Sequence, residues 1–208
     1  MMKIKIITVS ITISVYSMAL LSCGAVGRFD SSLSAPAEES CGFQQNSLGQ
    51  RVSWKNNIPI KIKLDSRWPE EWRSPIKNAI EKWNSALRKE VVKLEYSENT
   101  GSTLEWTKSW PPDRARMQGV TTLTYAGYQI LSAKIKINAQ DYIYFDSDEN
   151  AEKKLHLESL VVHEIGHSLG LKHNENKLAV MQPYLLPGIV RSKPSDQEVK
   201  DLNCEYGL

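Results

Sequence analysis

The 208-residue chain is 41% hydrophobic and 24% charged, with 26 Lys and Arg against 24 Asp and Glu, a formal net charge of +2. That length suits one domain with a short appendage, and the composition excludes a collagen-like, disordered or polytopic membrane protein. The near-balance of charge argues against a nucleic-acid binder, which carries a basic excess on one face.

In chain order, residues 1–22 open with Lys3 and Lys5 and continue as an apolar stretch from Ile4 to Leu21, broken by Thr8, Ser10, Thr12, Ser14 and Ser17. This is the pattern of a secretory signal peptide; a retained transmembrane helix is the alternative, disfavoured by the hydroxyl-bearing residues. Leu20-Leu21-Ser22-Cys23 resembles a bacterial lipobox, in which the chain is cut before a lipidated Cys. The expectation is an exported lipoprotein on the outer membrane or cell surface, held to the membrane by its N-terminal lipid alone. Residues 23–45 are then the lipidated Cys23 and a flexible tether rich in Ser, Ala and Gly, and residues 46–208 form the domain, expected to be a monomer. With Cys23 acylated, Cys41 and Cys204 remain, and in an exported chain two such cysteines are expected to pair. That bridge would tie the start of the domain to its last helix and stabilise it by about 4–5 kcal/mol on loop-closure entropy.

Ile60 to Leu64 alternates apolar and polar residues after Pro59, the mark of a half-buried strand. Ser74-Pro75 predicts the start of a helix, with Ser as N-cap and Pro in first place. Ile76, Ala79, Ile80, Trp83, Ala86 and Leu87 supply its buried stripe. Further strands are expected at Val92–Tyr96, Leu104–Trp106, Val120–Tyr125, Lys134–Asn138 and Tyr142–Phe145. Lys134 and Lys136 on the polar positions suggest an exposed or edge strand. A second helix follows near Leu155, giving an α/β or α+β domain.

That helix carries the informative stretch, His163-Glu164-Ile165-Gly166-His167-Ser168-Leu169-Gly170-Leu171-Lys172-His173. His163 and His167, four apart, project from one helix face and can grip one ion. Gly170 predicts the helix end and a turn that returns His173 to the same ion. Three imidazoles with an open fourth position are the pattern of a catalytic zinc. Glu164 leaves the helix beside the metal and can serve as general base to a water. Chance spacing of packing histidines is the bland alternative. His156 lies seven residues before the set and reads as a surface or helix-packing residue.

The stretch resembles the metzincins, whose signature H-E-x-x-H-x-x-G-x-x-H is followed by a Met-turn. Ala179-Val180-Met181-Gln182-Pro183 is the Met-turn candidate, with Met181 eight residues after His173 as in the matrixin branch. The ending is also similar: a capping box at Ser195 and Glu198 opens a helix with Val199, Leu202 and Tyr206 inside and Gly207 as C-cap. Two positions depart from the matrixin pattern. Asn174 follows the third His, and Tyr184 follows Pro183 directly. The resemblance implies an α+β zincin-like fold, a twisted mixed β-sheet with a long active-site helix, an N-terminal amphipathic helix and a C-terminal helix. It implies one catalytic Zn2+ on His163, His167 and His173, with Glu164 as base and Met181 beneath the ligands. It also implies a protein or peptide substrate laid as an added strand along a sheet edge. The expected edge is Ile135, Lys136, Ile137 and Asn138, with Tyr142 to Phe145 as rival. Pro183 and Tyr184 would begin the S1′ wall, and Leu185, Leu186 and Ile189 would line its pocket or plug the core. Cys41-Gly42 faintly matches the family's inhibitory Cys-Gly switch, a rival to the disulfide. Phe145-Asp146-Ser147-Asp148-Glu149 resembles an acidic Ca2+-binding stretch, with solvated surface as the alternative. The function implied is zinc metalloendopeptidase; a non-catalytic zinc-binding surface lipoprotein, an adhesin or assembly factor, is the alternative.

Overall fold

The computed structural model describes residues 9–12, 38–95, 101–147 and 151–208. The lipidation residue Cys23 and most of segments 1–22 and 23–45 lie outside the described residues, as do Asp148 and Glu149. In chain order the elements are strands β1 (Val9–Thr12) and β2 (Ile60–Leu64), helix α1 (Arg73–Leu87), strands β3 (Val92–Glu95), β4 (Ser102–Thr107), β5 (Gly119–Ala126), β6 (Gln129–Asn138), β7 (Tyr144–Phe145) and β8 (Leu155–His156), and helices α2 (Leu157–Ser168) and α3 (Asp196–Tyr206). Six strands form one mixed sheet in the order β1-β5-β6-β4-β2-β3, and β7 and β8 pair separately. Only β5 and β6 run antiparallel; every other pairing in the sheet is parallel.

The alternation in β2 behaves as expected, with Ile60 and Ile62 buried and Lys61 exposed. Helix α1 begins earlier than Ser74-Pro75 predicts. It opens at Arg73 after a 3-10 turn over Glu70–Trp72, with Trp72 as N-cap and no side-chain cap bond. Pro75 therefore lies inside the first turn, where its missing N–H has no intrahelical partner to lose. The stripe Ile76, Ala79, Ile80, Trp83 and Leu87 is buried. Trp83 Nε1 donates to the Val162 carbonyl at 2.9 Å, pinning α1 to α2. At the end of α1, the Asn84 side chain accepts from the N–H groups of Val91 and Val92 and donates to the Val92 carbonyl, which sets the start of β3.

The expected edge strand is a correction. Ile135, Lys136, Ile137 and Asn138 belong to β6, which is paired on one flank to β4 and on the other to β5. Tyr144 and Phe145, the rival edge, pair with Leu155 and His156 outside the main sheet. Lysines on β6 report a solvent-facing side of the sheet, with Lys134 Nζ 3.5 Å from Glu105, and period-2 alternation cannot distinguish a wet face from an unpaired flank. The antiparallel strand near the end of the sheet is β5, and β1 lies in parallel outside its Thr122–Tyr125 stretch.

Every residue of α2 is buried, including His163, Glu164, His167, Ser159 and Ser168. A helix covered all round packs between other elements; α2 touches α1 on one side and β5 and β6 on the other. Helix α3 carries the expected capping box, with Ser195 accepting from the Glu198 N–H, and ends at Gly207 with φ 60°. Cys41 and Cys204 are joined by a disulfide, so Cys41 is not available as an inhibitory ligand. Among the described residues, no helix is long and apolar enough to cross a membrane.

Candidate metal centre and active site

His163 and His167 stand one turn apart on α2, with ring centroids 4.6 Å apart. The helix ends at Ser168, and Gly170 takes φ 104°, a left-handed conformation that favours glycine. A Cβ at Gly170 would also lie 2.7 Å from the Val52 carbonyl oxygen and 2.8 Å from the Phe43 ring. The chain turns there and brings His173 back, its ring 4.7 Å from His167 and 5.3 Å from His163. One ligating atom from each of the three residues lies within 4.8 Å of the others, the single such grouping found among the described residues.

The tautomers follow from the partners. His163 Nδ1 faces the Val180 carbonyl at 2.8 Å and His167 Nδ1 faces the Leu171 carbonyl at 2.8 Å. Carbonyls only accept, so each Nδ1 carries the proton and each Nε2 presents a lone pair. His163 Nε2 is buried with no hydrogen-bond partner, and His167 Nε2 lies 3.1 Å from His173 Nε2. A buried, unpaired imidazole nitrogen is costly unless a cation meets it. Three imidazoles whose ring nitrogens lie this close together suit zinc, and three such groups among the described residues would leave the coordination open. Burial, reinforced by the neighbouring imidazoles, holds His163 well below its ordinary pKa and pushes His167 down to about 3, so both imidazoles are neutral at physiological pH.

Glu164 is fully buried beside this set. Its Oε2 accepts from Thr121 Oγ1 at 2.6 Å, and its Oε1 has no hydrogen-bond partner. Burial pushes its carboxyl up to about 8, with the Thr121 bond pulling the other way. Gly119 of β5 packs directly on the carboxylate, since a Cβ there would lie 2.6 Å from Oε1.

Met181, the Met-turn candidate, packs on the same helix. A Cβ at Gly166 would lie 2.3 Å from Met181 Sδ, so the helix glycine and the thioether are in direct contact. The Met181 N–H donates to Glu198 Oε1 at 2.6 Å, and the Met181 carbonyl accepts from the Asn174 N–H at 2.8 Å. Val180, one residue earlier, supplies the carbonyl that orients His163. Pro183 is buried and Tyr184 half-buried. Tyr184, Leu178, Leu186, Ile189 and Arg191 line a groove of about 590 Å³, while Leu185 turns inward and joins the core. Arg191 holds the wall by donating to the carbonyls of Gln182 and Tyr184, both at 3.0 Å. Gln118 Nε2 fastens the same loop from the β5 side, donating to the Leu185 carbonyl at 2.8 Å.

His156 packs rather than ligates: it is the N-cap of α2, with Nδ1 accepting from the Ser159 N–H. The sequence reading missed Thr121, Gly119, Gln118 and Arg191. Gly119 left a signal, since a glycine at a strand start marks close approach of another group. A threonine in a Thr-rich strand left none.

The chain matches the matrixin family profile over residues 53–205. The fold and the three-histidine cluster agree with that match. The chain belongs to the matrixin family. It is 26% identical over 142 residues to Metalloendoproteinase 1-MMP of Arabidopsis thaliana, covering 67% of this chain and 38% of that protein. It is 25% identical over 166 residues to Metalloendoproteinase 4-MMP of the same plant, covering 76% of this chain and 48% of that protein. A putative matrix metalloproteinase of Trichoplusia ni ascovirus 2c is 36% identical over 58 residues, 26% of this chain and 12% of its own length. The matches thus span less than half the length of these relatives.

Proposed function

We propose that this chain is a zinc-dependent endopeptidase that cleaves peptide bonds in proteins, with His163, His167 and His173 holding the metal and Glu164 as general base. The observation that carries the reading is the buried, partnerless Nε2 of His163, facing two further imidazoles, with the carboxylate of the next residue alongside. Bound zinc would supply Lewis acidity at the scissile carbonyl and lower the pKa of water toward about 7. Glu164 accepts the proton of the attacking water and delivers it to the leaving amine nitrogen as the carbon–nitrogen bond breaks. The Thr121 hydroxyl steadies the ionised carboxylate for the first of these transfers. Burial against Gly119 keeps bulk water from competing as an acceptor.

Substrate would lie along the outer flank of β5, in place of the expected Ile135–Asn138, as an added strand. The parallel pairing of β1 on that flank supports this reading, and cleavage before Cys23 would remove β1 and vacate it. The apolar groove beside Tyr184 would take the side chain that follows the scissile bond. Export and anchoring by a lipid on Cys23 form part of the proposal and rest on the sequence of residues 1–23. The test is Glu164→Ala: the variant should retain zinc and lose chelator-sensitive cleavage of casein or a peptide library. Cleavage at the parental rate would remove Glu164 from its role.

A further inference from the structure

The fold places a small clip at the N-terminal edge of the domain. Residues 41–45 lie against 170–172, the segment joining the second and third histidines. The Gln44 N–H donates to the Gly170 carbonyl at 3.0 Å and the Lys172 N–H donates to the Gly42 carbonyl at 2.9 Å, with Phe43 opposite Leu171. Phe43 is fully buried, against Gly170 on one side and the edge of Tyr206 at 5.7 Å on the other. Tyr206 in turn donates to the Leu169 carbonyl at 2.6 Å.

Leu171 is the focus of these contacts. Its carbonyl accepts from His167 Nδ1 and so sets that imidazole's tautomer and direction. His173 follows two residues later. A displacement of Leu171 would therefore disturb two of the three imidazoles together. The clip itself is short; the disulfide from Cys41 to Cys204 on α3 ties its front end covalently to the body, beside hydrogen bonds from Arg51 to Glu38 and the Glu39 carbonyl. Resting on the ligand assignment above, we infer that Cys41, Cys204 and Phe43 are positioning residues of the metal centre: the bridge holds the clip, the clip holds Leu171, and Leu171 aligns His167 and His173. A partner that orients a metal ligand is typically worth about 10- to 100-fold in metal affinity.

The test uses the full chain as Cys41→Ser/Cys204→Ser, Phe43→Ala and Phe43→Leu variants, with Ile62→Ala as a control. Ile62 is buried in β2 and makes none of the clip contacts. Zinc affinity is read by competition with a chromophoric chelator, and ligand geometry by the visible absorption of the Co2+-loaded proteins. Each variant is held well below its thermal midpoint. The double cysteine variant and Phe43→Ala should bind zinc about 10-fold or more weakly than the parent with an altered Co2+ spectrum. Phe43→Leu should recover most of the affinity, and Ile62→Ala should keep it. Clip variants that match the parent would overturn the inference, as would an Ile62→Ala protein that loses zinc equally, since the effect would then be general stability. Should the double variant not fold, the Phe43 pair decides alone. A parent that takes up no zinc would instead remove the ligand assignment itself.

Discussion

Thr121→Val isolates one hydroxyl in the proposed active site. The Thr121 Oγ1 donates to Glu164 Oε2 at 2.6 Å, inside a fully buried pocket where the other carboxylate oxygen has no partner. Valine keeps the branched shape and the strand preference, so the change is confined to the lost donor. A hydrogen bond to a charged group is worth about 1.5–3 kcal/mol, and about 1.4 kcal/mol is a factor of ten in rate. If the bond supports the ionised base throughout the reaction, kcat/KM should fall by about 10- to 150-fold. The bond favours the charged carboxylate, so its loss raises the Glu164 pKa further. In the proposed mechanism the base acts ionised, so the acid limb of the pH profile should move to higher pH. The assay is kcat/KM against pH on a quenched peptide, with zinc content and the unfolding midpoint measured alongside. A variant whose profile and kcat/KM match the parent at equal zinc content would refute the assignment of Thr121 as the group that steadies the base.

Gly166→Ala would drive a methyl to 2.3 Å from Met181 Sδ and 3.0 Å from Trp83 Cζ2, so overpacking should cost about 1–3 kcal/mol in urea unfolding and weaken zinc retention against a chelator. Trp83→Ala removes a fully buried ring and its bond to the Val162 carbonyl, and should cost about 3–5 kcal/mol in the same experiment. The Glu205 carboxylate is buried, which disfavours its charge, but bonds from Lys55, Ser53 and Arg51 outweigh this and hold its pKa below the ordinary value. A lowered folded-state pKa contributes stability that is full above the unfolded pKa and lost as pH falls through the folded one. The unfolding midpoint of the parent should therefore decline more steeply on acidification than that of Glu205→Gln, and parallel declines would contradict the cluster's role.

The three-histidine cluster was legible because its spacing is a property of the helix: residues four apart share a face, and glycine at Gly170 suits φ 104° at the turn that returns His173. The caps of α3 were legible for the same local reason, in Ser195, Glu198 and Gly207. What Glu198 does with its other oxygen, accepting the Met181 N–H across 17 residues, was not, since no local pattern encodes it. The substrate edge was misread because alternation along β6 records which side chains meet water. Whether a strand has one neighbour or two depends on the order in which distant segments assemble, and β4 and β5 close both flanks of β6. Thr121 was invisible for a related reason, as its tie to Glu164 spans 43 residues. Helix α2 was readable as a helix from Leu157, Leu160, Val161 and Ile165. That its polar residues are buried as well follows only from its position between α1 and the sheet.

Zinc K-edge absorption on the purified chain, combined with elemental analysis, bears most directly on the metal centre. The expected result is one zinc per chain, three imidazole nitrogens at about 2.0–2.1 Å and a light oxygen scatterer completing the shell. A shell containing sulfur or a fourth imidazole, or a chain that retains no zinc after dialysis, would contradict a hydrolytic site built on His163, His167 and His173.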